Sequence, residues 1–547
     1  MSLLHRLILR RTGLLPRCRV RIRKGIQVPA ADGTMLLTDL YLGGAADGAP
    51  AILIRSPYGR GAILAALTAY PLASQGYNVV LQSCRGTGGS GGALDPHHHE
   101  QADGLATLAW IRRQPWYGGA IGTFGPSYLG YVQWAVSVSA GSELAAMAIQ
   151  VTSADFAQMT YAGDSFALEN ALTWTRTNGV SRKPRFAALR MLLPGMRRRM
   201  AIQPEQWRTL PLAAMDTQVC GEPIGFWQDW LQHASPADPW WTPMDFRRSI
   251  GEVRRPITMV AGWYDIFTPF QLRDFAALQA AGNDARITIG PWRHTDMALA
   301  YAGLHDALDW FGQHLRGAVP ATTRRPVRLF VVGAEEWREF DAWPPREVAV
   351  ERWHLQPQRR FDPEPATESA PDPYVYDPAD PTPSIGGPAL MGEPFAVDNR
   401  PLESRADVLT FTSEPLSAPR DLIGEVEAEL HVASTAPSAD FFVRVCRVDP
   451  QGVSMNVCDG LQRVNFTTPG VPQRVRVRLW PTAHRISTGE RLRIQVSSGA
   501  FPRWARNLGG TEPLAHATQL QAATQSLYHS PELPSAVLLP WLRAISS

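Results

Sequence analysis

The sequence has no apolar run of the roughly 18 residues that a membrane-crossing helix needs, so no membrane span is expected. Leu3 to Leu9 is apolar but broken by His5 and Arg6, which makes a poor secretory core. Cysteine is scarce: Cys18, Cys84, Cys220, Cys446 and Cys458 are scattered, odd in number and without a C-x-x-C pair. That excludes a disulfide framework and the common zinc pattern, and it fits a reducing, cytoplasmic compartment. Acid is missing before Asp32, where seven Arg and one Lys accumulate. The whole chain carries only +3, so the remainder is near −5. The bulk of the protein is therefore not basic, and no nucleic-acid partner is expected. Residues 1–24 are expected to form a basic, frayed and solvated arm; contact with anionic lipid or another protein is the rival reading. Internal repeats are absent.

What is present is a long globular chain. Its 547 residues suggest several domains. Ala51–Arg55, Tyr77–Gln82 and Ala120–Phe124 read as buried strands, and Gln101–Arg113 and Leu129–Val138 as helices. Ile257–Gly262 and Ala285–Gly290 read as two more strands around a helix at Pro269–Ala281. Such alternation predicts a parallel sheet faced by helices. Between them the character turns helical and rich in Trp. The expectation is an α/β-hydrolase domain at 25–151 and 250–322, interrupted by a helical cap at 152–249. From 323 to 547 strand patterns dominate, including the near-perfect alternation of Arg474–Trp480, and predict a β jelly roll. A Pro- and Asp-rich loop is expected from Phe361 to Pro394.

Two motif matches fail on context. Gly88-Gly89-Ser90-Gly91-Gly92 fits the hydrolase pattern G-x-S-x-G, but no helix follows, so Ser90 is expected in a flexible loop. The overlapping G-x-G-x-x-G at Gly86–Gly91 opens a loop where a dinucleotide site needs a helix. His97-His98-His99 with Glu100 and Asp103 invites a metal, but adjacent histidines point apart, and loop surface is the expectation. The run Arg197-Arg198-Arg199 reads as a solvated face. No metal and no cofactor are predicted.

Gly125-Pro126-Ser127-Tyr128-Leu129-Gly130 has the required context: a strand before the serine, a helix after it, and small residues to tighten the turn. A serine hydroxyl needs a histidine to take its proton, and the histidine needs an acid to fix its tautomer. In this fold they follow the serine in the order acid, then base. Asp265 and His294 stand just past the ends of the two later strands.

The blocks GPSYLG, GWYDIF and GPWRH, with Arg55-Ser56-Pro57-Tyr58, Cys458-Asp459-Gly460 and Phe501-Pro502-Arg503, resemble the cocaine esterase group of the X-prolyl dipeptidyl-peptidase family. The resemblance runs from about 25 to 540. It implies an α/β-hydrolase domain, an inserted helical cap, a C-terminal jelly roll and no cofactor. It implies that Tyr58 and the backbone N–H of Tyr128 bind the oxyanion, and that Phe267 lines the acyl pocket. Tyr161, Phe166 and Trp174 are candidate pocket walls in the cap. The implied reaction is hydrolysis of a small-molecule ester or amide through an acyl-Ser127. Carboxylic esterase ranks before X-prolyl dipeptidyl peptidase and before amino-ester or β-lactam acylase. A catalytically silent binding protein is the rival from another class. The oligomeric state, monomer or homodimer, stays open.

Overall fold

The computed structural model describes residues 3–44, 48–181, 202–319, 323–391 and 395–543, so the Arg197–Arg199 run lies outside the described residues. The chain divides into two compact units. The first holds residues 1–156 and 242–328, with a short return at 339–342. Its strands are β1 (Arg21–Pro29), β2 (Met35–Leu42), β3 (Ala49–Ser56), β4 (Asn78–Ser83), β5 (Tyr117–Pro126), β6 (Leu144–Gln150), β7 (Ile257–Gly262) and β8 (Ala285–Gly290). They lie in the order β1-β2-β4-β3-β5-β6-β7-β8. β1, β2 and β4 pair antiparallel, and from β4 onward every neighbour is parallel.

Parallel strands buried on both faces read as short continuous apolar runs, which is how the sequence revealed them. Ile52, Ile54, Val79, Leu81, Phe124, Ala146 and Ala148 share one core with Leu304, Ala307, Trp310 and Phe311 of the long helix Met297–Arg316. The parallel arrangement sets the C-terminal ends of β3, β5, β7 and β8 along one edge of the sheet. Tyr58, Ser127, Asp265 and His294 each follow one of those ends.

The expected frayed arm is instead folded. Residues Leu3–Thr12 form a helix, and Leu9 enters the sheet's core cluster. His5 stacks on Tyr70 at 3.8 Å, and His305 Nε2 meets the Thr12 carbonyl at 2.7 Å. The arm also ends earlier than expected, because β1 begins at Arg21. Apolar residues at i and i+1 of a single helical turn, Ile8 and Leu9, supply the anchoring that the charge count concealed.

The second unit holds residues 157–241, 329–338 and 343–547. The helical insertion thus shares a unit with the β-rich part. The Trp504 indole donates to the Ala162 carbonyl at 3.1 Å, and Ala505 N–H donates to Phe166 O at 2.9 Å. The two stems of the insertion meet in the first unit, where Phe246 N–H donates to Ala154 O at 3.0 Å. In the β-rich part Trp353, Phe411, Phe441, Val443, Val445, Ile494, Val537 and Trp541 form one core. Gln473–Arg478 alternates as expected, with Val475 and Val477 buried and Arg474, Arg476 and Arg478 outside. The Pro- and Asp-rich stretch is not all loop: Asp372–Tyr376 is a strand paired with Ala523–Tyr528. Its Tyr374 and Tyr376 alternate inward, a period too short to stand out among the prolines.

A buried ion triad lies among these strands. Asp459 accepts from Arg444 Nη2 at 2.9 Å and from Arg503 Nη1 at 2.6 Å, and all three side chains are buried. Burial alone pushes the Asp459 carboxyl up, but the Arg503 and Arg444 guanidiniums bring it below its ordinary value. Removing the carboxylate strands two buried cations. Asp459→Ala is expected to lower the unfolding free energy by about 3–5 kcal/mol, read by urea titration; a loss under about 1 kcal/mol would show that water already compensates the arginines.

Candidate active site

Ser127 sits between β5 and the helix Tyr128–Ser137 with φ 58° and ψ −128°. A non-glycine residue in that region is strained, which is the expected state of a serine on a strand-to-helix elbow. Its neighbours explain how the strain is held. A Cβ on Gly125 would stand 2.4 Å from Leu129 Cβ, and one on Gly130 would stand 2.5 Å from Thr152 Cγ2. Glycine is therefore required at both places for the helix to close on the strand and on the segment after β6. Ser127 N–H donates to Gln150 O at 2.9 Å, and the Ser127 carbonyl accepts from Gly130 N–H at 2.8 Å.

Asp265 is fully buried and uses both carboxylate oxygens. Oδ1 accepts from Phe267 N–H at 2.7 Å, and Oδ2 meets His294 Nδ1 at 2.5 Å. A carboxylate accepts, so Nδ1 carries the proton and Nε2 is left as the acceptor. That is the tautomer a general base needs. The Phe267 ring lies 5.5 Å from the imidazole, centroid to centroid, beside the base where an acyl-pocket wall is expected.

Tyr58 is 40% exposed and so is no part of the core. Its backbone N–H donates to Ser56 Oγ at 3.1 Å, tightening the turn after β3. Tyr128 opens the helix after Ser127, among the first-turn N–H groups that a helix's own ladder does not use. Its ring is anchored: the hydroxyl donates to Glu100 Oε1 at 2.8 Å and accepts from His97 N–H at 2.9 Å. Glu100 Oε2 in turn meets Arg55 Nη1 at 2.7 Å.

Several expectations change here. His97, expected on loop surface, is buried, has φ 76° and stacks on Phe156 at 3.8 Å. Burial and the nearby His98 hold its imidazole well below the ordinary value. Glu100 and Asp103 are buried as well, and no metal-holding group of three His, Cys, Asp or Glu occurs among the described residues. No local signal marked this in the sequence: Glu100 opens the helix Glu100–Arg112, and its partners Tyr128 and Arg55 turn it inward. Ser90 is not flexible. Its Oγ accepts from Leu37 N–H at 2.8 Å and donates to Ser83 O at 2.9 Å, so the serine staples a glycine turn. In the second unit Tyr161 and Phe166 are core residues: the Tyr161 hydroxyl donates to Trp230 O at 2.6 Å, and Phe166 packs on Tyr161 and Trp227. Half-buried Trp174 packs on Phe226 and Trp230. Aromatics at helical spacing in the insertion therefore build its own core.

The helix Thr268–Ala280 that follows Asp265 also fastens the segment beside the elbow. Gln271 accepts from Thr152 N–H at 3.2 Å and donates to Val260 O at 3.1 Å. Asp274 Oδ2 accepts from Ala154 N–H at 2.8 Å. Burial pushes the Asp274 carboxyl up to about 7, against the pull of Arg273. A carboxyl raised in the folded state adds stability while protonated and loses it as pH rises from about 4 to about 7. The unfolding free energy of the wild type minus that of Asp274→Asn should fall across this window by ~1.4 kcal/mol per pH unit at most. A difference that is flat over the window would place the ionised carboxylate on Arg273.

Comparison with known proteins agrees with this architecture. Residues 32–296 match the X-Pro dipeptidyl-peptidase (S15) family, and residues 321–538 match the X-Pro dipeptidyl-peptidase C-terminal non-catalytic domain. The chain is 32% identical to cocaine esterase of Rhodococcus sp. (strain MB1 Bresler), over 95% of this chain and 99% of that protein. Among solved structures, an aminopeptidase of the marine sediment archaeon Thaumarchaeota archaeon superposes with TM-score 0.83 at 21% identity, covering 96% of this chain and 97% of its own. An α-amino acid ester hydrolase superposes with TM-score 0.79 at 22% identity, covering 95% and 96%. At those identities the two structures establish the fold alone. The family match over both parts of the sequence, with the near-complete alignment to the esterase, shows that the chain belongs to the X-Pro dipeptidyl-peptidase (S15) family.

Proposed function

We propose that the protein hydrolyses carboxylic esters through an acyl-Ser127 intermediate. The observation that carries the reading is the bond from His294 Nδ1 to the buried Asp265 carboxylate, which leaves Nε2 to accept a proton. Ser127 Oγ attacks the ester carbonyl as Nε2 takes its proton, and the alcohol leaves with that proton. Water then repeats the step on the acyl-serine and restores the enzyme. The Tyr58 hydroxyl and the Tyr128 N–H donate to the oxyanion in both halves. These steps use only this chain's groups and water. Phe267 bounds the acyl side, whereas Tyr161, Phe166 and Trp174 act through packing in the insertion.

Esters rank before peptides because the relative aligned over nearly the whole chain is named an esterase. Dipeptidyl-peptidase and amino-ester acylase activities remain second and third. The proposed location is reducing and cytoplasmic; five unpaired cysteines, three of them buried, support it.

A fluorophosphonate probe should label Ser127, and Ser127→Ala should lose both labelling and p-nitrophenyl ester hydrolysis while keeping its melting temperature. A silent binding protein would not label. Ser90→Ala should keep its activity and lose about 1–3 kcal/mol of stability, because it strands the Leu37 N–H in a half-buried turn.

Tyr58→Phe tests the oxyanion role. A donor lost there should cost about 10²–10³ in kcat with little change in KM, for every ester tried. Near-normal kcat would place the second donor elsewhere. Phe267→Ala should instead reorder the substrates.

A further inference from the structure

The cations that precede Asp32 take no part in the chemistry above. Arg6, Arg10, Arg11, Arg17, Arg19, Arg21, Arg23 and Lys24 are all exposed. The unit's arginine ion pairs are made from Arg55 onward, and among the described residues none is made by these eight. They also have company that a solvated face does not need. In the helix Leu3–Thr12 the buried side is Ile8, Leu9 and Thr12. The opposite side presents Leu3, Arg6, Leu7, Arg10 and Arg11, spaced three and four apart as one stripe. Leu3 is 84% exposed, Leu7 47%, and Leu15, just past the helix, 83%.

The segment that follows the helix is fastened to residues 73–75. Arg17 N–H donates to Ser74 O at 2.8 Å, Gln75 Nε2 donates to Leu15 O at 2.9 Å, and Cys18 Sγ donates to Ala73 O at 3.2 Å. Besides burial, the Lys24 charge helps to lower the imidazole of His5 on the helix. Charge on β1 alone has a simpler use, since β1 is the edge of the sheet and cations discourage strand addition. That use does not reach the helix, and it gives no reason for exposed leucines between arginines.

We propose that the stripe Leu3-Arg6-Leu7-Arg10-Arg11, with Leu15 and the cations through Lys24, is a docking surface for an anionic phospholipid membrane. The arginines and Lys24 meet the headgroup charge, and the leucines enter the boundary between headgroups and acyl chains. With only three leucines available, electrostatics supplies most of the attraction, so binding is reversible and weakens with salt. The placement would bring the enzyme to substrates that partition into membranes. A nucleic acid is the less favoured occupant, because phosphate contacts leave the leucines without a role.

The test is co-sedimentation of the full chain with phosphatidylcholine vesicles, with and without phosphatidylglycerol, at low and high salt. Binding is expected only with phosphatidylglycerol and is expected to be lost at high salt. Replacing Arg6, Arg10 and Arg11 together by Gln should weaken it roughly a hundredfold. Leu3→Ser with Leu7→Ser should weaken vesicle binding about tenfold while leaving retention on heparin unchanged. All variants should hydrolyse a soluble p-nitrophenyl ester like the wild type, which shows that they are folded and keeps this result separate from the catalytic reading. No binding to phosphatidylglycerol vesicles overturns the proposal. So does a leucine variant that binds vesicles as well as the wild type, which would make the surface a general polyanion site.

Discussion

A serine held at φ 58° is stable only if its surroundings leave the backbone no other course, and much of the first unit is arranged to that end. β5 delivers the chain to the edge of the sheet, Gly125 lets the following helix fold back against it, and Gly130 lets that helix press on Thr152. The Ser127 N–H is fixed to the end of β6, so the elbow is tied to two strands rather than one. The strain costs on the order of 1–3 kcal/mol, and it is offset by packing that a freely turning loop does not have.

Asp265 and Ser127, the proposed acid and nucleophile, belong to one scaffold. Asp265 ends the turn after β7 and spends one oxygen on the backbone of Phe267, at the start of the next helix. That helix then reaches across with Gln271 and Asp274 to hold the backbone at Thr152 and Ala154. Those residues are the wall against which Gly130 closes. The position of His294, set by Asp265, and the position of Ser127, set by the elbow, therefore depend on the same helix and the same short segment. Both Gln271 and Asp274 are fully buried polar residues, and each is matched to a backbone group that would otherwise be stranded.

The sequence disclosed what rests on chain order and local pattern. Strands β7 and β8 have the bounds that their apolar runs predict, and Asp265 and His294 fall where those strands end. The elbow was legible because strand, turn and helix lie within one short stretch. Burial of polar residues was not legible. His97 and Glu100 read as surface, since an isolated His or Glu usually is, and only the tertiary contacts with Tyr128 and Arg55 turn them inward. Aromatic residues of the insertion were ambiguous for the opposite reason. Tyr161 and Phe166 have the composition of a pocket, but an inserted segment of helices must first bury a core of its own. For the same reason, the partner of the insertion was not deducible. The chain places it between β6 and β7, yet its hydrogen bonds join it to residues more than 300 positions away.

The group beneath Tyr128 shows why a buried charge is kept where an apolar residue would pack. A leucine at position 100 could fill the same space at no desolvation cost, and buried ion pairs often contribute little to stability. It could not accept the Tyr128 hydroxyl or pair with Arg55. Glu100 does both, with a separate oxygen for each, while the His97 N–H supplies the tyrosine oxygen with its donor. Two directions are thereby specified for one phenol, and they restrict the ring more sharply than van der Waals contact does. Because the ring belongs to the first residue of the helix, restricting it also restricts the backbone N–H beside Ser127. Orientation is the property on which an oxyanion donor depends, since a preorganised dipole stabilises developing charge without moving. In the proposed oxyanion role of the Tyr128 N–H, the ion pair is part of that preorganisation: it trades stability for the fixed direction of one N–H.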